Sequence, residues 1–127
     1  MPHELKKLTP NIVVSSIETS LAFYRDVLGF KVTMSVPDPA PYVFVGLQSG
    51  PVEVFINAAE IMPEKVSFGN SLSLYVEVVD IKALHESLRP QVPIAIPLEK
   101  KFYGMTEFAI HDPDGHMIIF AQQGDHV

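Results

Sequence analysis

The chain has no cysteine. Disulfides, thiolate nucleophiles and cysteine-ligated zinc or iron–sulfur centres are therefore excluded. It is also short of positive charge: 9 Lys and Arg stand against 15 Asp and Glu, a net charge of −6. The cations are scattered, with only Lys6-Lys7 and Lys100-Lys101 adjacent. The electrostatic footprint of a nucleic-acid binder is missing, and a negative surface favours cationic or neutral ligands over anionic ones. No apolar run approaches the ~20 residues of a membrane span. Near the N-terminus only Ile12-Val13-Val14 is apolar, too short for a signal peptide. The expectation is a soluble cytoplasmic protein with no membrane and no nucleic-acid partner. Gly46, Gly50 and Gly104 are isolated, so no glycine-rich phosphate loop exists. No strand–turn–helix elbow presents a serine nucleophile.

What is present is a chain of 127 residues, 47% apolar, long enough for one domain with a real core. Its clearest element is the C-terminal ribbon. Thr106–His111 and His116–Gln122 are β-prone runs around Asp112-Pro113-Asp114-Gly115. Pro113 presets φ, and Gly115 can take the left-handed conformation that closes a bulged three-residue hairpin loop. In that register Glu107 faces Ala121 and His111 faces Met117. Phe108, Ile110, Ile118 and Phe120 then share an apolar face. Glu107, Ala109, His111, Met117, Ile119 and Ala121 share a mixed one, as period-2 alternation requires. One face seals a core; the other has the character of a pocket wall.

Upstream, Leu8–Val14 reads as a strand. Ser15 with Glu18 fits a capping box, and Ile17, Leu21, Tyr24 and Leu28 recur at helical spacing until Gly29. Phe30–Met34, Tyr42–Leu47 and Val52–Asn57 read as strands, with a proline-rich loop at Pro37, Pro39 and Pro41. Residues 59–70 read as a linker. Leu72–Val78 alternates, with Leu72, Leu74, Val76 and Val78 inward and Ser73, Tyr75 and Glu77 opposite. Asp80 caps a helix carrying Ile81, Leu84 and Leu88, which Pro90 ends. Val92–Ile96, with Pro93, makes a poor strand fit only for an edge. The two halves repeat. Ile12–Ile17 lies over Val76–Ile81 at an offset of 64 (76 − 12), and Glu53 falls near Ile119 at 66 (119 − 53). Each half is strand, helix, three strands, and such units pack as a pair.

Ser20-Leu21-Ala22-Phe23-Tyr24-Arg25-Asp26-Val27-Leu28-Gly29-Phe30, Tyr103-Gly104-Met105-Thr106-Glu107-Phe108 and Asp112-Pro113-Asp114-Gly115-His116 resemble the vicinal oxygen chelate superfamily of glyoxalases, bleomycin-resistance proteins and dioxygenases. With the repeat, the resemblance covers roughly residues 8–122. It implies an α+β fold: a single domain of two tandem βαβββ modules, about 8–58 and 71–122, whose mixed sheets curl around an open cleft, usually in a homodimer. In metal-using members four ligands come from the first and last strand of each module. Carried over, those positions are Thr9, Glu53, Ser73 and Ile119. Only Glu53 is a good ligand, so the resemblance is closest to the metal-free, bleomycin-resistance-like members, with no cofactor.

The reading that follows is a binding protein that sequesters a small, partly apolar or cationic organic molecule. Its cleft is lined by Asn11, Phe44, Glu53, Phe55, Ser73, Tyr75, Glu107, His111, Met117 and Ile119. The glutamates suit a cationic or hydroxylated ligand, and the aromatics a planar one. Two alternatives stand beside it: a metal-dependent lyase, isomerase or dioxygenase using Glu53 and His111, and an interaction module with a vestigial cleft. His111-x-x-x-x-His116 is a weak metal pair, because the register puts the two on different faces and Asp112 and Asp114 are turn formers.

Overall fold

The computed structural model describes residues 5–37, 41–61 and 72–127. It divides into two compact units, Met1–Val66 and Ser67–Val127. The first contains β1 (Asn11–Val14), α1 (Ile17–Leu21) running on into a π-helical stretch (Ala22–Val27), β2 (Lys31–Val36), β3 (Phe44–Ser49) and β4 (Val52–Ala58). A 3-10 turn, Ala59–Ile61, follows. The second contains β5 (Ser73–Glu77), α2 (Ile81–Leu88), β6 (Ile96–Lys100), β7 (Met105–His111) and β8 (Met117–Gln123). Each unit is a four-stranded mixed sheet, ordered β1-β4-β3-β2 and β5-β8-β7-β6. In both, the first strand runs parallel to the last and the other pairs are antiparallel. This is the expected α+β class. The predicted linker beyond Ile61, and Pro39 of the proline-rich loop, lie outside the described residues.

Each sheet has one buried face, against which its helix packs. In the first unit Ile12, Val14, Val45, Leu47, Val54 and Ile56 of the sheet and Ile17, Leu21, Phe23 and Tyr24 of the helical stretch are all buried, and α1 packs on β4. In the second, Phe108, Ile110, Ile118 and Phe120 meet Ile81 and Leu88. The ribbon register is as predicted: Glu107 pairs with Ala121 and His111 with Met117. The Gly115 amide donates to the Asp112 carbonyl (2.9 Å), with Gly115 at φ 90°. Asp112 is buried because it organises this turn. Its Oδ1 accepts from the amides of Asp114 (3.1 Å) and His116 (2.8 Å), and the His116 ring Nδ1 lies 2.9 Å from its Oδ2.

Several expectations shift. The first helix is capped by Ser16, not Ser15: the Ser16 Oγ accepts from the Thr19 amide. After Leu21 the helix widens, the Leu28 amide reaching the Phe23 carbonyl five residues back, before Gly29 leaves at φ 81°. Asp80 caps α2 as expected, accepting from the Ala83 amide. Gln122 adds an unforeseen brace there: its side chain accepts from the Ile81 amide (2.9 Å) and donates to the Val79 carbonyl (2.5 Å). Leu72 lies before β5 and is exposed, so it is not an inward residue. The strand expected over Val92–Ile96 is not there: residues 92–95 are not strand, and the edge strand β6 begins at Ile96, its ladder irregular between Ile96 and Glu99, around Pro97. Proline cannot donate to a ladder, and an edge with a bulge is where it is tolerated.

The ladders also fix the repeat. Asn11 is the partner of Phe55, and Tyr75 of Ile119. Both strands of the parallel pair are therefore offset by 64 (75 − 11 and 119 − 55). Glu53 corresponds to Met117, which is opposite Ser73, and not to Ile119. The physical reason is that the first and last strands of each unit are locked together by one ladder, so they cannot carry different offsets.

Candidate functional site

All ten predicted site residues lie on the sheet face turned away from the helix of their own unit, four in the first unit and six in the second. In the second unit β5, β8 and β7 set them in rows. Ser73, Met117 and His111 form one row, then Tyr75, Ile119 and Ala109, then Glu77, Ala121 and Glu107, extended on β6 by Glu99. Only one pair of the predicted six is joined by a side-chain hydrogen bond. The Tyr75 hydroxyl reaches over β8 and donates to Glu107 Oε2 at 2.5 Å. The Tyr103 hydroxyl donates to the other oxygen, Oε1, at 2.8 Å. Glu107 is 5% exposed, whereas Tyr75 and Tyr103 are 50% and 53% exposed. The two phenol rings thus form the accessible surface of a carboxylate that is itself covered.

The electrostatics follow. Donating to Glu107, with some desolvation and the carboxylate's negative charge, pushes the Tyr75 hydroxyl up to about 12. Tyr103 is raised by its own hydrogen bond to Glu107. Glu99 is the cross-strand partner of Glu107, and like charges placed directly opposite repel. The repulsion is relieved by Lys101, whose ammonium lies 2.5 Å from Glu99 Oε1. Tyr103 was not foreseen as a site residue. The signal available was its place just before Gly104, in the turn that precedes β7, four residues ahead of Glu107.

The first unit solves its face differently. Phe44 and Phe55 meet edge to face, centroids 5.1 Å apart. The Asn57 side chain donates to that of Asn11. Glu53 is ion-paired with Lys7 and accepts from Thr9 Oγ1 at 3.2 Å. The Lys7 ammonium holds the Glu53 carboxyl below its ordinary value. Gly46 lies between Phe55 and Met34 in the ladder, and a Cβ there would stand 2.8 Å from Thr33 Oγ1 and 3.1 Å from Met34 Cγ. The bare backbone is what lets these side chains close over β3. Lys7 and Asn57 were not anticipated, because the contacts that matter span 46 residues of sequence.

The model of the Glyoxalase/Bleomycin resistance protein/Dioxygenase superfamily matches residues 6–120. The chain belongs to this superfamily. Among solved structures it is similar to a protein of unknown function from Agrobacterium tumefaciens str. C58, at 26% identity over 95% of this chain and 96% of that one, with a TM-score of 0.75. A superfamily member from Sphaerobacter thermophilus DSM 20745 has a TM-score of 0.78 at 22% identity, covering 94% of this chain and 98% of that one. TioX from Micromonospora sp. ML1 has a TM-score of 0.77 at 17% identity, covering 93% and 98%. The latter two share the fold. No curated protein matches the sequence.

The superfamily's metal-using members raise the question of whether these residues suit a divalent ion. They do not. Of the four positions carried over, Ile119 has no donor atom, nor has Phe55, its counterpart in the ladder, and Met117, the counterpart of Glu53, offers only a thioether. Ser73 offers a neutral hydroxyl beside Met117. Thr9 spends its hydroxyl on Glu53, whose carboxylate is already neutralised by Lys7. A divalent ion needs several converging N, O or S donors. Among the described residues no three His, Cys, Asp or Glu side chains converge in this way. His116 is taken up by Asp112 in the turn, and His111 is exposed on the other side of it. Among the described residues no helix is long and apolar enough to cross a membrane.

Proposed function

We propose that the protein is a metal-free small-molecule binder of the glyoxalase/bleomycin-resistance type, holding a small, partly apolar organic molecule by shape, aromatic surface and carboxylates. The observation that carries this reading is Glu107. A carboxylate removed from water is costly unless it is hydrogen-bonded, and here the partners are two tyrosines whose rings stay half exposed. Apolar side chains with a few convergent, pre-organised polar groups are the usual make-up of a ligand wall. Ile119 and Met117, both partly exposed, supply the apolar part. The protein works as a homodimer in this reading. Support comes from β2, a sheet edge on which Val32, Met34 and Val36 are exposed, since bare edges call for cover.

The test is elemental analysis of protein purified without added metal, together with thermal unfolding. The protein is expected to be metal-free, and Zn²⁺ or Ni²⁺ should leave the melting temperature unchanged. A ligand at ~100 times its Kd adds ~2.7 kcal/mol to the folded state, and Tyr75→Ala should remove that gain. A metal-induced stabilisation larger than that from any organic compound, lost in Glu53→Gln, would put a metal-dependent lyase, isomerase or dioxygenase first.

A further inference from the structure

We infer that the second unit's tyrosine pair selects an alkylated organic cation: a quaternary ammonium, or a tertiary amine in its protonated form, with an apolar body. The inference rests on the small-molecule reading above and names the ligand class for its site. The geometry separates charge from contact. Glu107 carries the negative charge but is 5% exposed, so a ligand has little direct access to its oxygens. Each oxygen already accepts one phenolic hydroxyl. A primary ammonium brings three donors that want acceptors, and the covered carboxylate has few to give. What the surface presents is ring: Tyr75 and Tyr103 half exposed, with Phe102 fully exposed and packed edge to face on Tyr103 at 5.0 Å.

An aromatic face attracts a cation through its quadrupole, and the attraction does not require the cation to donate a hydrogen bond. A phenol that donates to a carboxylate gains electron density in its ring, which strengthens that attraction. The surrounding charge has the same sign preference. Glu77, Glu99 and Glu107 lie in one row across the sheet, and the one ammonium ion-paired with any of them among the described residues, Lys101, is bound to Glu99. Three carboxylates face one ammonium. An anionic ligand would be repelled, and a neutral one would gain only the apolar contact of the rings.

The experiment is a titration of the full chain with choline and with its uncharged isostere 3,3-dimethylbutan-1-ol, followed by tyrosine fluorescence and by calorimetry. Choline is expected to bind at least about tenfold more tightly than the isostere, the equivalent of ~1.4 kcal/mol. Glu107→Gln keeps the shape and removes the charge, and should cancel that preference. Tyr75→Phe keeps the ring and frees one carboxylate oxygen, and should lower the preference while leaving measurable choline binding. Circular dichroism of both variants checks that they are folded. If Glu107→Gln does not fold, Tyr75→Phe and Tyr103→Leu carry the test. Equal binding of choline and its isostere, or tighter binding of ethanolamine than of choline, would overturn the ligand class and leave the binder reading intact. No binding by these probes, with a different uncharged compound stabilising the protein in a Tyr75-dependent way, would do the same. No stabilisation by any organic compound would overturn both.

Discussion

The two units build the same sheet and finish the face turned away from the helix with different chemistry. Row by row, Asn11 stands where the second unit has Tyr75, Phe55 where it has Ile119, Glu53 where it has Met117, and Phe44 where it has Glu107. In the first unit the acid is near the strand start and is matched by a cation, Lys7. The aromatic rings there pack on each other. In the second unit the acid Glu107 is buried and is matched by neutral hydroxyls. The aromatic rings there face solvent. A carboxylate neutralised by its own lysine has little left to offer a ligand. One held by two neutral hydroxyls has no ion-pair partner among the described residues. A repeated backbone therefore need not mean repeated function, and the second unit is the better candidate.

Breaking the shared part should have the largest effect. Phe120→Ala in the second unit and Leu21→Ala in the first both empty a buried site at a sheet–helix contact, and such changes cost ~2–5 kcal/mol. Denaturant melts should show losses of that size in both. A loss below ~0.5 kcal/mol in either, the range of surface substitutions, would mean that the units do not share this core logic.

A sharper probe is the position where the two faces differ by one methyl group. Gly46 in the first unit corresponds to Ala109 in the second, each paired with the row of Phe55 or Ile119. Gly46→Ala puts a Cβ against Thr33 and Met34, and overpacking of this kind costs ~1–3 kcal/mol. Ala109→Gly should cost ~0.5–1 kcal/mol through strand flexibility. Thermal melts that reversed this order would show that the first unit's face is looser than the contacts at Gly46 indicate.

The next effect is smaller and depends on pH. Tyr75→Phe removes a hydrogen bond from a half-exposed hydroxyl, worth ~1 kcal/mol. The folded-state value of about 12 for Tyr75 lies above the ordinary 10.0. Its contribution is therefore full below pH 10 and is lost as pH rises through about 12. The stability difference between wild type and Tyr75→Phe, measured by denaturant at a series of pH values, should close over that interval and be flat below it.

The smallest effect is expected at Lys7→Met. This pair is largely exposed on the lysine side, and exposed ion pairs contribute little. Glu53 sits below its ordinary 4.5 because of Lys7. Whatever the pair contributes is present above that value and lost as pH falls through the folded-state one. At neutral pH the variant should melt like wild type, and NMR titration should show the Glu53 carboxyl moving back up. A large loss of stability at neutral pH would make Lys7 a structural residue and weaken the contrast between the units.

Much of this molecule was legible in the chain itself. The alternation of Phe108, Ile110, Ile118 and Phe120 around Asp112-Pro113-Asp114-Gly115 set the ribbon's register, because only one pairing buries every apolar side chain and suits that turn. Asp80, Gly29 and the stripe Ile17, Leu21, Tyr24 marked the helices through local chemistry. The same alternation assigned Tyr75, Glu107 and the other candidate residues to the faces turned away from the helices. The tertiary structure alone decided which of them meet. Tyr75 and Glu107 are 32 residues apart, and Lys7 and Glu53 are 46 apart. Their contacts depend on the order β5-β8-β7 and on the parallel ladder that sets the repeat at 64, not on any local pattern. Periodicity is a property of one strand. The partner of a side chain 32 or 46 residues away is a property of the assembled chain, which alone gave Glu53 its lysine and Glu107 its tyrosine from β5.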